Sequence, residues 1–336
     1  MASFTKSTSF EIKELAIVTK AGKVDIRNIY GELNIFDSVL VPVMSGNILI
    51  QDSIGLSNKL VFDGSEVILI DIGKSAKFPI ARFKKAFRIY KQSDRKNQNL
   101  TTQAYVLHFV SDELMYSDQQ KINQSFSGTY NESAAIILEK YLKVPPTANK
   151  IALLEQTQGI HSFIIPNLSP FDAINWLCTY ARPMPPNVGA DILFYEDKEG
   201  YKLRSLQSLY MQDILGEYNY SPRNTLSANK NESSLTYNIS NAITYEIMDS
   251  FDTLFATNSG ILANTLLNVD ILTRNVNAEK YNYKDNYAYQ ASQLNDSPGI
   301  DYSYANRFGD KMHETPMANF KLVFGNSRKT GGYDNL

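Results

Sequence analysis

Residues 10–110 contain a series of short apolar runs separated by residues that favour turns. Runs of this length with alternating polar positions are typical of strands that bury one face. Turns are predicted at residues 21–23, at Gly46-Asn47 and at Asp63-Gly64, because glycine accepts a positive φ. Pro42 indicates an edge strand or a bulge. The predicted strands lie in 10–18, 24–36, 39–43, 48–50, 60–62, 67–72 and 104–110.

The stretch 74–96 is basic and rich in aromatic residues. Its cations are Lys74, Lys77, Arg82, Lys84, Lys85, Arg88, Lys91, Arg95 and Lys96, and they are interleaved with Phe78, Ile80, Phe83, Phe87, Ile89 and Tyr90. One interpretation is a phosphate-binding surface with stacking aromatics. The other, which we favour because no nucleic-acid motif accompanies it, is a strand with aromatics facing the core and lysines facing water.

Residues 111–215 change to a helical pattern. A helix is predicted from Tyr130 to Leu142, ended by Pro145-Pro146. A second helix has Ser169 as its N-cap and Pro170 at its first position. A hairpin is predicted over 191–204, with a charged turn closed by Gly200. The apolar stripe of the second helix comprises Phe171, Ile174, Leu177, Cys178 and Ala181.

The remaining residues are less regular. Residues 216–234 are polar and predict a long exposed loop or boundary. Strands are expected at 239–247, 266–272 and 320–324, whereas the segment from Lys284 onward is too poor in aliphatic residues to bury a core alone. We therefore expect three domains: a tube-like β domain (1–112), a helix-containing α+β domain (113–215) and a second, incomplete β domain (216–336).

Composition narrows the classes of function. The net charge of −2 gives the chain no overall attraction to nucleic acid or anionic membranes. The 21 Tyr and 17 Phe, against one Trp, favour β-surfaces and contact surfaces. Cys178 is the single cysteine, so no intrachain disulfide can form. No apolar run reaches the ~18 residues of a membrane span, and the first residues do not have the pattern of a signal peptide.

The residues that could carry chemistry do not form a known motif. His108, His161 and His313 are dispersed, and we interpret His108 as a strand residue. Cys178 lies on the apolar face of a predicted helix and is interpreted as core packing. Gly73-Lys74-Ser75 lacks the earlier glycine of a phosphate-binding loop. The neighbouring carboxylates Asp112-Glu113 and Glu196-Asp197 point apart on a strand and are usual for turns.

These observations predict no catalytic residue, no cofactor and no metal site.

Ordered blocks of the chain resemble a known family. The blocks are Ile29-Tyr30-Gly31-Glu32 through Phe36-Asp37, Gly46-Asn47-Ile48-Leu49-Ile50-Gln51-Asp52, Phe62-Asp63-Gly64-Ser65-Glu66-Val67-Ile68, Ser127-Gly128 to Leu142, Ile164-Ile165-Pro166-Asn167-Leu168-Ser169-Pro170-Phe171 through Trp176-Leu177, and Leu193-Phe194-Tyr195-Glu196-Asp197. In this order, over about three-fifths of the chain, they resemble the T-even-type myophage baseplate central hub proteins and the amino-terminal part of VgrG-type spike proteins.

The resemblance implies an α+β fold, mostly antiparallel β, in which tube-protein-like barrel or sandwich domains carry a helix-containing inserted domain. It implies a non-enzymatic homotrimer in the virion, assembled in the bacterial host cytoplasm, that joins a six-fold tail tube to a three-fold spike. The implied partners are a spike or lysozyme-type spike protein, a tube or tube-initiator protein and baseplate wedge proteins. DNA would only pass through the lumen, and no membrane insertion is expected.

Other functions stay open at this point. Another tail structural protein, a tube initiator or terminator, would form hexamers. A peptidoglycan hydrolase would need an acid pair in a cleft, and the two acids of such a pair can come from distant strands. A receptor-binding module is the third alternative, suggested by the Tyr-rich carboxy-terminal segment.

Overall fold

The fold was examined in a computed structural model of the chain. The described residues are 10–20, 22–56, 62–74, 82–97, 102–144, 151–185, 191–213, 219–220, 241–242, 244–246, 252–260, 262–270, 274–282 and 323–324. None of the helices in these ranges has the length and apolar character needed to cross a membrane.

A seven-stranded antiparallel sheet forms the first part of the structure, which we call the sheet module. Its spatial order is β2-β1-β5-β6-β7-β4-β3. All six pairings are antiparallel, as expected for strands joined by short connections. The strands are β1 (Phe10–Thr19), β2 (Gly22–Asp25), β3 (Tyr30–Phe36), β4 (Ser45–Asp52), β5 (Val67–Lys74), β6 (Phe83–Asn97) and β7 (Gln103–Val110).

One face of this sheet carries the first hydrophobic core. Side chains at every second position of a strand share a face, and the apolar residues follow this period. The buried members include Leu15, Ile17, Ile48, Ile50, Ile68, Ile70, Phe87, Ile89, Tyr105, Leu107 and Phe109. The strands predicted at 10–18, 48–50, 67–72 and 104–110 are confirmed, and the one predicted at 24–36 is present as β2 and β3. The strand predicted at 39–43 is wrong, because these residues lie in the connection between β3 and β4.

The predicted turn at Gly46-Asn47 is wrong. Both residues lie inside β4, where Gly46 pairs with Ile35 on one side and Phe109 on the other. Gly46 is needed there because a Cβ would overlap the carbonyl oxygen of Asn34 and the ring of Phe109. The chain turns earlier, in the loop 37–44 between β3 and β4, and this loop contains Pro42.

The basic stretch follows the strand interpretation except at Tyr90, which is 51% exposed, and at Lys85. In β6, Phe87 and Ile89 are buried in the core, and the residues 75–81 of the stretch lie outside the described ranges. The prediction that the lysines face water is wrong for Lys85, whose side chain is only 16% exposed. Lys85 stands two residues before Phe87, on the face that points to the core.

A second hydrophobic core belongs to residues 113–210, which we call the helical module. Its core includes Ile122, Ile137, Leu138, Phe171, Ile174, Leu177, Phe194, Tyr201 and Leu203. The helices are α1 (Glu113–Asp118), α2 (Tyr130–Lys140), α3 (Pro170–Cys178) and α4 (Leu206–Tyr210), and the strands are β8 (Ser125–Gly128), β9 (Ile151–Leu154), β10 (His161–Ile164), β11 (Ile192–Asp197) and β12 (Gly200–Ser205).

Capping residues fix the starts of the two longer helices. Ser169 accepts a hydrogen bond from the backbone N–H of Asp172, which confirms the predicted N-cap of α3. Thr129 and Glu132 form a capping box at the start of α2. This helix ends at Lys140, before the predicted stop at Pro145-Pro146. Lys143 adopts a left-handed conformation with φ of 53°, and the N–H of Val144 bonds back to Leu138 at 3.0 Å.

The hairpin predicted over 191–204 is confirmed as β11 and β12. Their antiparallel register runs from Ile192 opposite Ser205 to Asp197 opposite Gly200. Gly200 has φ of 134°, which explains why glycine closes this turn. β12 also pairs with β9 in parallel. The other two-stranded sheet of the module, β8 with β10, is antiparallel.

The described part of the carboxy-terminal third contains one helix and five strands. They are β13 (Asn219–Tyr220), β14 (Asn241–Ala242), α5 (Thr253–Asn258), β15 (Ala263–Asp270), β16 (Asn275–Asn282) and β17 (Val323–Phe324). β15 pairs antiparallel with β16. The sequence did not predict β16, because apolar residues are sparse in it. Of the strand predicted at 239–247, the structure shows residues 241–242 as β14, and the described residues 244–246 are not in a strand. The expected loop at 216–234 and the segment from Lys284 lie almost wholly outside the described residues.

The prediction of an α+β fold dominated by antiparallel strands is confirmed.

The close packing at Gly46 gives a first prediction. We expect Gly46→Ala to destabilise the protein by about 1–3 kcal/mol or more, because the new methyl group must displace backbone and the Phe109 ring. Gly73→Ala is the matched control. A Cβ at Gly73 would meet its nearest neighbour, Cε of Lys13, at an ordinary 3.5 Å. Urea unfolding of both variants measures the difference, and equal stabilities would contradict the explanation.

Candidate functional site

The histidines and the cysteine singled out in the sequence have packing roles in the described residues. Nε2 of His108 lies 2.8 Å from Oγ of Ser93 across β6 and β7, which confirms the strand interpretation. The His161 ring stacks on Tyr130 with centroids 4.5 Å apart. Cys178 is buried, and burial raises the pKa of its thiol to about 12. His313 lies outside the described residues. Of the described groups, His108 belongs to the sheet module, whereas His161 and Cys178 belong to the helical module.

The other candidates are the phosphate-loop-like segment at residues 73–75 and the carboxylate of Asp112. Gly73 and Lys74 end β5, and Ser75 lies outside the described residues. Asp112 forms an ion pair of 2.7 Å with Arg88. In the part of the chain that the structure describes, no three His, Cys, Asp or Glu side chains are placed to share a metal ion.

One of the neighbouring carboxylates has an unexpected position. Glu196 is not a solvated turn residue: its side chain is 4% exposed and lies between the sheet module and the helical module. It reaches this position because Ile192, Phe194 and Glu196 occupy alternate positions of β11 and point to the same buried face. Asp197 points the other way and pairs with Lys202 at 2.6 Å.

Both carboxylate oxygens of Glu196 are bonded to the sheet module. Oε1 pairs with the ammonium group of Lys85 in β6. Oε2 accepts hydrogen bonds from the backbone N–H of Met44, at 2.9 Å, and from the hydroxyl of Ser111, at 2.5 Å. We call these four residues the Glu196 node. They bring together three separate stretches of the sheet module and one strand of the helical module.

Burying the charge of Glu196 is unfavourable, and its partners in the node offset that cost in part. Burial raises the pKa of Glu196 above its ordinary value, while Lys85, Ser111 and the Met44 amide act in the opposite direction. Isolated buried charges cost several kcal/mol, so a buried carboxylate requires such partners. The ammonium group of Lys85 also lies 5.4 Å from the centre of the Phe87 ring.

Further ionisable groups surround the node. Burial raises the pKa of Tyr201 well above its ordinary value, and the carboxylates of Glu196 and Glu113 raise it further. Burial and the Asp197 carboxylate raise the pKa of Asp37, in the β3–β4 loop, against the attraction of Lys85 and Lys202. The β11–β12 hairpin and the β3–β4 loop are therefore electrostatic neighbours.

Apolar contacts continue the junction around the node. Val43 and Val110, which belong to the sheet module by sequence, are buried in the core of the helical module. Met44, next in the chain, is buried in the core of the sheet. The β3–β4 loop is thus anchored at its carboxyl end in both cores. Its middle is exposed and apolar, and the residues Val39, Leu40 and Val41 form what we call the loop tip.

Sequence reasoning missed this site for a specific reason. The alternation in β11 and β6 places Glu196 and Lys85 on core-facing positions, and that signal is visible in the sequence. Their pairing is not visible, because 111 residues separate them and nothing local links the two strands.

Comparisons with known proteins give likenesses only at the level of structure. No protein-family model matches this sequence, and no curated protein matches it. A tail protein from Neisseria meningitidis is similar over 95% of this chain and 72% of its own, with a TM-score of 0.46 and 9% identity. The prophage tail protein gp18 from Listeria monocytogenes is similar over 83% of this chain and 70% of its own, with a TM-score of 0.46 and 8% identity.

A third similar structure is a Francisella PdpA-VgrG complex. The likeness covers 95% of this chain and 44% of that chain, with a TM-score of 0.43 and 11% identity. This chain therefore spans less than half the length of the chain it matches there. The three similar structures are thus a tail protein, a prophage tail protein and a PdpA-VgrG complex, each with 11% sequence identity or less.

The buried ion pair gives a second prediction. We expect Lys85→Met to destabilise the protein by about 3–5 kcal/mol at neutral pH, because Glu196 then stays buried without a counter-ion. Lys84→Met is the matched control, since Lys84 is the preceding residue of β6 and its side chain is exposed. Denaturant unfolding measures both, and a Lys85→Met variant as stable as the control would refute the electrostatic account.

The raised pKa of Glu196 gives a third prediction, on pH dependence. The folded protein binds a proton at Glu196 at higher pH than the unfolded chain does, so this group's contribution to stability falls as pH rises above about 4.5. Glu196→Gln removes the titration. The unfolding free energy of the wild type minus that of the variant should therefore decrease with rising pH. Urea titrations between pH 4 and 8 measure this difference, and an increase would contradict the assignment.

Proposed function

We propose that this chain is a structural protein of a contractile phage tail, the central hub of its baseplate. In this role three copies form a ring that joins the six-fold tail tube to the three-fold central spike. The ring acts through its contact surfaces and has no catalytic turnover. Its partners are a spike protein, a tube or tube-initiator protein and baseplate wedge proteins, and DNA passes only through its lumen. The site of action is the virion.

The order of elements along the chain carries this proposal. The first three blocks of the hub resemblance fall on β3, on β4 and at the start of β5, all within one sheet. The later blocks fall on α2, α3 and β11, which share the second core. A β domain followed by a helix-containing unit is the arrangement that the resemblance to hub proteins implies.

The two hydrophobic cores support a division of the chain into domains. The two hydrophobic cores separate near residue 112, where β7 has ended and α1 begins. Val43 and Val110 cross from one core to the other and join the units. We propose boundaries at 1–112, 113–215 and 216–336, with the last domain as a second tube-like unit. Its longest described strands are β15 and β16, which pair antiparallel.

The edges of the seven-stranded sheet are compatible with assembly through contacts. β2 and β3 each have a neighbour on one side only among the described strands. Free strand edges are sites at which other chains can add. β2 is short and bears Lys23, whose ammonium group pairs with Glu14. β3 is longer and leads into the loop tip.

Native mass spectrometry tests the proposal and gives the fourth prediction. We expect the full chain to form a species of three times the monomer mass of 37.9 kDa. A hexamer would instead indicate a tube initiator or terminator. A monomer at high concentration, together with clearing in a peptidoglycan zymogram, would overturn the hub in favour of a hydrolase. A three-fold-averaged reconstruction of the assembled baseplate would locate the ring.

A further inference from the structure

The β3–β4 loop differs from an ordinary hairpin loop in how it is held. Phe36, the last residue of β3, pairs with Ser45, the first residue of β4, so residues 37–44 form the connection. Hairpin loops usually have two to five residues, and longer loops are mobile unless other contacts order them. Here the ordering contacts come from the opposite module.

The carboxyl half of the loop is fixed at three consecutive points. Val43 is buried in the core of the helical module. The backbone N–H of Met44 donates to Glu196, and its carbonyl oxygen accepts from the backbone N–H of Ser111 at 3.1 Å. Both backbone groups of Met44 are therefore bonded, one to each module.

The loop tip lies a few residues before these anchors. Leu40 is 76% exposed, and Val39 and Val41 are also exposed. The described hydrogen bonds from the tip go to the neighbouring Ser38. The N–H of Val41 donates to the carbonyl oxygen of Ser38 at 3.3 Å, and the N–H of Leu40 donates to the hydroxyl of Ser38 at 3.2 Å. Such local bonds fix a turn but do not fix where the turn lies on the protein.

We propose that Glu196 is a positioning residue that locks the β3–β4 loop between the two modules and so sets the place of its apolar tip. The carboxylate ties Met44 to Lys85 and Ser111 from the side of the helical module.

The lock is a property of the single chain and does not depend on the hub function. Hydrogen–deuterium exchange of the full-length protein, read by mass spectrometry, tests it in Glu196→Ala. We expect exchange in residues 37–44 to become at least about ten times faster, since the Met44 amide loses its acceptor. Peptides from β5 and α3 exchange through global unfolding and should change by a smaller factor than the loop, because the loss of the ion pair also lowers the overall stability.

Two milder variants keep the test decisive if Glu196→Ala does not fold. Ser111→Ala removes one of the three partners of Glu196, and we expect faster exchange confined to 37–44. Glu196→Gln keeps an oxygen that can accept from Met44, so we expect the amide of Met44 to stay protected. Glu199→Gln is the matched control. It removes an exposed carboxylate from the turn of the same hairpin, next to Lys202, and should leave exchange in the loop unchanged.

The results separate a lock from a general contribution to stability. An increase in exchange that is larger in the loop than in β5 and α3 supports the proposal. Exchange that rises equally in the loop, β5 and α3 would show that Glu196 stabilises the whole fold without positioning the loop, and would overturn it. Unchanged exchange in 37–44 of folded Glu196→Ala or Ser111→Ala would overturn it as well.

Discussion

The buried ion pair between Glu196 and Lys85 is the interaction on which the junction of the two modules depends. Two charges in a site of low polarity gain from each other only when their remaining hydrogen-bonding capacity is also satisfied. The amide of Met44 and the hydroxyl of Ser111 meet that requirement for Glu196. An apolar pair could hold two surfaces together with equal strength, but it would not fix one register between them. A carboxylate with three directional partners does.

This constraint explains why the two cores of the protein are separate yet joined. Each module buries its own apolar side chains. Among the residues that the structure describes, Val43 and Val110 extend from the strands and loops of the sheet into the second core. The contact between the modules is therefore a small apolar patch around a polar centre. The polar centre selects one arrangement, because any other leaves a buried carboxylate without partners.

The same junction connects the fold to the proposed role. A ring protein between a tube and a spike acts by presenting surfaces at fixed positions, and its free energy of assembly is reduced by any part that must be ordered first. The node orders the β3–β4 loop within the single chain. The carboxylate at the centre of the node is Glu196, which from the sequence alone we interpret as a turn residue beside Asp197.

Local features determined much of the secondary structure. Short apolar runs predicted β1, β5 and β7, Ser169-Pro170 predicted the start of α3, and Gly200 predicted the turn after β11. These signals act over a few residues, through rotamer preference, capping and positive φ.

Features that depend on distant partners were decided only by the tertiary structure. Gly46-Asn47 has the composition of a turn, yet the close approach of Asn34 and Phe109 gives Gly46 a place within a strand. Lysine and glutamate are residue types typical of protein surfaces, yet Lys85 and Glu196 are each other's counter-ion across the two modules. Sequence alone sets which face of a strand a side chain occupies. Only the packing of strands and modules sets what that face meets, because the partners lie on other elements, as Lys85 and Glu196 do at a separation of 111 residues.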